Sequence, residues 1–148
     1  MTTSDAAQTR GPARALLAED DELIRLLAED ALAMAGFLVT SCGSADEALT
    51  LLARDHFDLL VSDIVMPGRM DGIDLARAAL VLRPGLRIIL TSGHTDRQRA
   101  LGELLPHVAF VAKPYRLDAL TALAVGQPPR PAKPHQPASR APTSPDSA

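Results

Sequence analysis

The sequence lacks tryptophan and is poor in the other aromatic residues, so that aromatic side chains make up only 3% of its 148 residues. The hydrophobic share is nevertheless 47%, which means that the core must be built from aliphatic side chains. A single cysteine, Cys42, excludes an intramolecular disulfide, and no group of residues has the spacing of a zinc site. We expect Cys42 to be a small core residue.

Long apolar runs are also absent. No stretch approaches the roughly 20 residues that a membrane-spanning helix needs, and the N-terminal residues do not show the charged-then-apolar pattern of a signal peptide. The net charge is −3, and the residues after Val125 contribute +2, so the remainder carries −5. An acidic body argues against sequence-independent nucleic-acid binding, which needs a basic face. We therefore predict a cytoplasmic protein with no nucleic-acid or membrane partner.

Composition divides the chain into three regions. Residues 1–13 are small and polar without periodicity, which predicts a flexible leader. Residues 14–125 carry the hydrophobic patterning and are long enough for one folded domain. Seven of the 23 residues in 126–148 are proline, which predicts a disordered, extended tail.

Within residues 14–125, five short apolar runs alternate with five segments of helical character. The predicted strands start near Arg14, Phe37, Asp58, Leu86 and Val108, and the predicted helices start near Glu22, Ala45, Gly72, Thr95 and Arg116. Such alternation predicts a parallel sheet covered by helices on both faces, because consecutive parallel strands need crossover connections.

Two local patterns refine the helix predictions. In the first helix the apolar residues recur at helical spacing and are expected to form its core-facing stripe; they are Leu23, Ile24, Leu27, Ala31 and Met34. Before the second helix, Ser44 and Glu47 have the spacing of a capping box, in which each side chain reaches the other residue's backbone amide.

Polar side chains follow four of the predicted strands. Glu19 and Asp20 follow the first, Asp63 ends the third, Thr91 ends the fourth and Lys113 follows the fifth. Because carboxyl ends of parallel strands meet at one edge, we expect these groups to converge. Clustered carboxylates raise one another's pKa values unless a cation is present, so the cluster predicts Mg²⁺. The hydroxyl and the ammonium group beside it are suited to binding phosphoryl oxygens.

Five segments, taken in order and spacing, carry a resemblance to a known family: Leu16–Asp21, Leu59–Pro67, Met70–Gly72, Ile89–Gly93 and Phe110–Pro114. Together they resemble the response regulator receiver domain, the CheY-like family, over about Ala13 to Val125. The resemblance implies an α/β fold of the flavodoxin-like (βα)5 type, a doubly wound parallel sheet with strand order 2-1-3-4-5.

The resemblance also implies roles for individual residues. Asp63 matches the phosphoacceptor, and Glu19 and Asp20 match the acidic pair that binds Mg²⁺ together with Asp63. The backbone carbonyl of Val65 matches a further metal ligand.

The remaining matched residues belong to the phosphoryl contacts and the switch. Thr91 matches the hydroxyl that turns toward the phosphoryl group, and Lys113 matches the ammonium group that bridges to it. Phe110 matches an aromatic switch residue, but it has no hydroxyl, so any switch here works by packing. The Lys113–Pro114 bond is expected to be cis, as in the family.

Two departures from the family pattern carry expectations of their own. The loop Pro67–Gly72 is one residue longer than the commonest form, which should reshape the loop without moving the ligands. Val65 and Gly93 stand two positions after Asp63 and Thr91, where neither can orient an attacking water. We therefore predict slow self-hydrolysis of the phosphoryl group.

The function implied by the resemblance is that of a single-domain response regulator in a two-component system or phosphorelay. A sensor histidine kinase or a histidine phosphotransfer protein would donate a phosphoryl group to Asp63. The conformational change would alter the face of the fourth helix, fifth strand and fifth helix, and so signal to a protein partner. Such a protein is not an enzyme beyond its own phosphorylation and dephosphorylation.

Two alternatives come from other functional classes. A Mg²⁺-dependent aspartyl-phosphate phosphohydrolase would carry an Asp-x-Asp motif after the first strand, which Glu19–Asp21 does not supply. A flavodoxin-like cofactor-binding protein would need glycine, serine and threonine amides in the same loop to bind phosphate, whereas this loop is acidic.

Overall fold

The computed structural model describes residues 11–93, 108–114 and 116–126. The predicted leader up to residue 10, the predicted helix from Thr95, and the tail from residue 127 lie outside the described residues.

Five parallel strands form a single sheet in the order β2-β1-β3-β4-β5. They are β1 (Arg14–Ala18), β2 (Leu38–Cys42), β3 (Leu59–Asp63), β4 (Arg87–Ser92) and β5 (Val108–Ala112). This order confirms the predicted doubly wound sheet. All five residues of β3 are buried, as expected for the central strand of a sheet with helices on both faces.

Four helices are described: α1 (Glu22–Met34), α2 (Ala45–Arg54), α3 (Gly72–Leu82) and α4 (Leu117–Ala124). Two hydrophobic clusters flank the sheet. One contains the buried residues of α2 and α3, and the other those of α1 and α4. Successive residues of β1 alternate between the two, with Leu16 in the first and Leu17 in the second.

The helix ends follow the local sequence signals in part. The Ser44 hydroxyl accepts the Glu47 backbone N–H at 3.2 Å, so Ser44 caps α2 as predicted, although the structure shows only this half of the box. A reciprocal capping box forms instead at α3, between Asp71 and Asp74. Gly36 follows α1 with φ +106°, a left-handed conformation that glycine adopts without steric cost.

The predicted core stripe of α1 is wrong. Ala28 and Leu32 are fully buried, whereas Leu23, Leu27 and Met34 are 66%, 49% and 84% exposed. Only Ile24 and Ala31 of the predicted stripe are partly buried. Because nine of the 13 residues of α1 are apolar, periodicity alone does not fix its buried face. The face with the small Ala28 packs on the sheet instead.

Cys42 is buried at the end of β2, in agreement with its predicted core position. Burial raises the pKa of its thiol to about 11. The Lys113–Pro114 peptide bond is cis. Within the part of the chain that the structure describes, no helix has both the length and the apolar character needed to cross a membrane.

Candidate functional site

The polar residues predicted to converge all lie at the carboxyl edge of the sheet. Asp63 is the last residue of β3, and the register places it beside Thr91 of β4. Glu19 directly follows β1, and Lys113 directly follows β5. Glu19, Asp63 and Thr91 are buried, at 2%, 7% and 2% exposure, so none of them is a solvated surface group.

The three acidic side chains form one compact cluster. One carboxylate oxygen from each of Glu19, Asp20 and Asp63 lies within 4.8 Å of the other two. Asp20 is exposed, so the cluster opens to solvent on its side. An oxygen-only set of donors with access to water is the environment that Mg²⁺ prefers, because this ion keeps several of its own waters. The residues present therefore fit a magnesium ion.

Lys113 neutralises part of this negative charge. Its Nζ donates to Asp63 Oδ2 at 2.8 Å and to Glu19 Oε1 at 3.2 Å. Burial disfavours the charged ammonium, but the hydrogen bond from Lys113 to Asp63 and the charges of Glu19 and Asp63 outweigh it, and the pKa of Lys113 is raised. Lys113 is therefore a fixed cation beside Asp63.

Glu19 is held by its side chain and by its backbone. Asp21 N–H donates to Glu19 Oε2 at 3.1 Å, and Arg25 Nη1 donates to the Glu19 carbonyl oxygen at 2.8 Å. Burial is the largest influence on the Glu19 carboxyl and raises its pKa, against the Asp21 hydrogen bond and the Lys113 charge that lower it. The contact made by Arg25 was not predicted from the sequence. The local signal for it is the position of Arg25 on the first turn of α1, six residues after Glu19.

Three neighbouring residues hydrogen-bond to Asp63 or to the residue that follows it. Ser62 Oγ donates to the Asp63 carbonyl at 2.9 Å, and Val65 N–H donates to Asp63 Oδ1 at 3.3 Å. Gly72 N–H donates to the Ile64 carbonyl at 2.8 Å, which brings the start of α3 against the end of β3. The contributions of Ser62 and Gly72 were not predicted, since they depend on tertiary contacts that no local pattern indicates.

The two proposed switch residues lie on neighbouring strands. Thr91 is buried on β4, and its carbonyl accepts the Ile64 N–H at 2.9 Å. Phe110, on β5, is partly buried and packs against the cluster formed with α2 and α3. The sheet register pairs Phe110 with Leu90, one residue before Thr91. Thr91 and Phe110 are therefore diagonal neighbours on adjacent strands.

Together these groups suit one kind of chemistry. Asp63 offers a carboxylate nucleophile whose Oδ2 is hydrogen-bonded to a cation, and a second charged centre can be held by Glu19 and Asp20. Positive charge on two sides of a carboxylate stabilises the negative charge that spreads over the oxygens of a transferring phosphoryl group.

Comparison with known proteins gives a consistent result. The family model described as "Response regulator receiver domain" matches residues 15–124. The chain is 42% identical over 105 residues to the C4-dicarboxylate transport transcriptional regulatory protein DctD of Rhizobium meliloti, covering 70% of this chain and 23% of that protein. It is 45% identical over 80 residues to the response regulator receiver protein CpdR of Brucella abortus, covering 54% of this chain and 66% of that protein.

The fold has a solved counterpart that carries a metal. The response regulator protein TrrA of Thermotoga maritima, in complex with Mg²⁺ and BeF, is 25% identical, with a TM-score of 0.69. The match covers 76% of this chain and 96% of that one. By contrast, this chain spans only about a quarter of the length of the curated relatives DctD and FleR.

Proposed function

This chain belongs to the response regulator receiver domain family, and from this premise we propose that it accepts a phosphoryl group on Asp63 from a phosphohistidine. A carboxylate oxygen of Asp63 attacks phosphorus, the phosphorus–nitrogen bond to the donor histidine breaks, and an acyl phosphate forms. The protein would be a phosphoacceptor in signalling, with no reaction of its own beyond gaining and losing this group.

The observation that carries the proposal is the position of the Lys113 ammonium group between Asp63 and Glu19. Its Nζ lies 2.8 Å from Asp63 Oδ2, so it can stabilise negative charge first on the carboxylate and then on the phosphoryl oxygens as the bond forms. Mg²⁺, when bound by Glu19, Asp20, Asp63 and the Val65 carbonyl, supplies further positive charge to the same oxygens. The solved complex of TrrA with Mg²⁺ and BeF supports this assignment by similarity.

The response to phosphorylation is proposed to pass through Thr91 and Phe110. Thr91 turns its hydroxyl toward the phosphoryl group, and the space it leaves allows Phe110 to change its packing. Because Phe110 has no hydroxyl, only packing distinguishes its two positions. The altered surface would include β5 and α4, which is the fifth of the helices predicted from the sequence. A protein partner would bind to this surface.

The proposed phosphoryl donor is a sensor histidine kinase or a histidine phosphotransfer protein. The chain is 34% identical over 120 residues to a part of the sensor kinase CckA of Brucella abortus that makes up 12% of that protein, and this similarity supports a place in such a system. The downstream partner is proposed to be a protein, because the net negative charge of the chain disfavours binding to a polyanion such as a nucleic acid.

The phosphohydrolase alternative is not favoured. Its nucleophile would belong to an Asp-x-Asp motif after β1, but this loop begins with Glu19 where the motif needs aspartate, and Asp21 caps α1. Asp21 Oδ1 accepts the Ile24 N–H at 3.0 Å. The family match provides no support for this alternative either.

Incubation with a small phosphodonor and Mg²⁺, followed by intact-mass measurement, tests the proposal. We expect one added phosphoryl group on the natural chain and none on Asp63→Asn. The matched control is Asp55→Asn, a half-exposed aspartate that directly follows α2 and lies outside the carboxylate cluster, which should be modified like the natural chain. Continuous release of phosphate over many turnovers would favour the phosphohydrolase instead.

A further inference from the structure

α1 and α4 pack against the same face of the sheet, and a groove of about 390 Å³ lies between them. Its walls are largely aliphatic, with one carboxylate on each side. The groove is lined by residues that include Leu27, Asp30 and Met34 of α1, and Leu117, Asp118 and Thr121 of α4.

The apolar side chains of this groove face solvent. Leu27 is 49% exposed, Met34 is 84% exposed and Leu117 is 37% exposed. They belong to the face of α1 and α4 that does not contact the sheet. A contiguous apolar surface of this kind, bordered by charged residues, is typical of a surface that another polypeptide segment covers.

The charge of the groove indicates a cationic occupant. Asp30 is exposed and makes no ion pair with any residue that the structure describes. Asp118 is paired at 2.8 Å with Arg116, but both side chains are about 60% exposed, so this pair is open to exchange. An occupant with apolar bulk and positive charge would match both walls.

The segment that follows α4 in the chain has this chemistry. Residues 127–137 contain five prolines together with Arg130 and Lys133, and they contain no acidic residue. The chain enters the segment at Gly126, whose φ of +89° ends the helix and whose N–H donates to the Leu123 carbonyl at 3.0 Å. A left-handed residue at this position turns the chain away from the helix axis.

The distances also agree. Asp118 lies eight residues before Gly126, which is about 12 Å along a helix at 1.5 Å per residue. Arg130 lies four residues after Gly126, a length of chain that would span about 12 Å if it adopted the polyproline conformation, at 3.1 Å per residue. A segment that folds back along α4 would thus bring Arg130 level with Asp118.

We propose that residues 127–137 of this chain occupy the groove between α1 and α4, with prolines on Leu27, Met34 and Leu117 and with Arg130 facing Asp30 and Asp118. The covalent connection at Gly126 favours this segment over the same sequence in another molecule, because a short tether holds it at a high effective concentration. The proposal does not depend on phosphorylation of Asp63.

A nitroxide placed in the tail of the full chain tests this proposal. The label is attached at Ala132→Cys in a Cys42→Ala background. The amide NMR spectrum of the chain, recorded after the nitroxide has been reduced, shows that the chain is folded. We expect strong broadening of the amide signals of Ala31 and Thr121 at the groove, and little at Ala79 of α3 on the opposite face. Equal broadening at all three positions, or none, would overturn the proposal.

Mixing experiments separate the tail of the same molecule from that of a neighbour. When an isotope-labelled chain without nitroxide is mixed with an unlabelled chain that carries it, we expect no broadening at Ala31. Broadening in this mixture would mean that a second copy supplies the occupant, which contradicts the proposal.

Charge reversal tests the role of Asp30. Asp30→Lys should weaken the broadening at Thr121, and combining it with Arg130→Asp should restore it. The control is Glu29→Lys, the same change at the neighbouring residue of α1 outside the groove, which should leave the broadening as it was. Equal effects of the two lysine variants would contradict a specific contact at Asp30.

Discussion

The backbone of Gly72 lies so close to the backbone of Asp63 that there is no room for a side chain at residue 72. A Cβ atom at residue 72 would overlap the Asp63 carbonyl oxygen and lie 2.8 Å from Ile64 Cα. Both are backbone atoms at the end of the central strand, so they cannot move aside as the end of a flexible side chain would.

We expect Gly72→Ala to destabilise the protein by about 1–3 kcal/mol, the usual cost of overpacking, and to slow phosphorylation because Asp63 is displaced. Urea unfolding followed by circular dichroism measures the first effect. Gly85→Ala is the control, since no atom lies within 4 Å of its added Cβ; its effect should stay within about 0.5 kcal/mol. Equal stabilities of the two variants would show that the approach at Gly72 is not tight.

The residue two positions after Asp63 is proposed to set the lifetime of the phosphoryl group. Val65 is 55% exposed and apolar, so it can neither orient a water molecule nor lose core packing when it is replaced. We expect Val65→Asn to shorten the lifetime of the loaded protein, measured as the decay of the phosphorylated mass.

Val81→Asn serves as the control for this lifetime, because Val81 is 82% exposed on α3 and is not among the residues of the site. Its phosphorylated form should decay at the rate of the natural chain. Release of phosphate within seconds from the natural chain would contradict the prediction of slow hydrolysis.

The charged residues of the site could be predicted from the sequence better than the residues that hold them in position. Glu19, Asp63 and Lys113 each follow or end a strand, so the parallel topology alone brings them to one edge. Gly72 and Arg25 act through contacts with backbone atoms of Asp63 and Glu19. Such contacts depend on how α3 and α1 pack, which is not encoded in any short pattern.

At the scale of elements, the start of α3 is fixed by reciprocal hydrogen bonds. Asp71 Oδ1 accepts the N–H groups of Ile73 and Asp74, both at 2.9 Å, and Asp74 Oδ2 accepts the Asp71 N–H at 3.2 Å. These bonds satisfy amides that have no partner within the helix. They also fix the position of Gly72, which lies between the two aspartates.

We expect Asp71→Ala to lower the free energy of unfolding by about 1 kcal/mol, as for other helix N-caps. Asp71→Asn is the control, because asparagine caps helices about as well as aspartate does. Urea unfolding of both variants measures the difference. If the asparagine variant lost as much stability as the alanine variant, the cause would be the lost charge and not the lost cap.

The helix ends were easier to predict than the buried faces of the helices. Ser44 was predicted to cap α2 and does so. Asp71 and Gly36 are residue types that favour helix ends, and they mark the observed start of α3 and the residue after the C-cap of α1. The buried face of α1 was predicted wrongly, because nine of its 13 residues are apolar and only contact with the sheet selects Ala28 and Leu32 among them. Periodicity is informative only when one face of a helix is polar.

At the scale of the whole molecule, alternation of strands and helices predicted a parallel sheet, but the strand order came from the family resemblance. Crossover rules allow several orders for five parallel strands. The observed order brings Glu19, Asp63 and Lys113 together from β1, β3 and β5, and thereby couples residues that lie 94 positions apart in the sequence within one charged cluster.

This coupling predicts that Mg²⁺ stabilises the folded protein. A ligand that binds only the native state adds about 2.7 kcal/mol at a concentration one hundred times its Kd. We expect the thermal midpoint to rise with MgCl₂ and to rise much less in Asp20→Asn, whose exposed side chain makes loss of folding a minor concern. Asp55→Asn should respond like the natural chain.

Sodium chloride at matched ionic strength controls for screening of the acidic surface in the same measurement. An equal rise with sodium, or an undiminished rise in Asp20→Asn, would show that the stabilisation does not come from the carboxylate cluster.

Borohydride reduction of the phosphorylated chain tests the central claim most directly. An acyl phosphate on aspartate is reduced to the alcohol of homoserine, whereas a free carboxylate is not, so peptide mass spectrometry locates the modified residue. The account predicts homoserine at position 63 after treatment with phosphodonor and Mg²⁺, and none without Mg²⁺. Homoserine at Asp20 or at another aspartate, with position 63 unchanged, would contradict it.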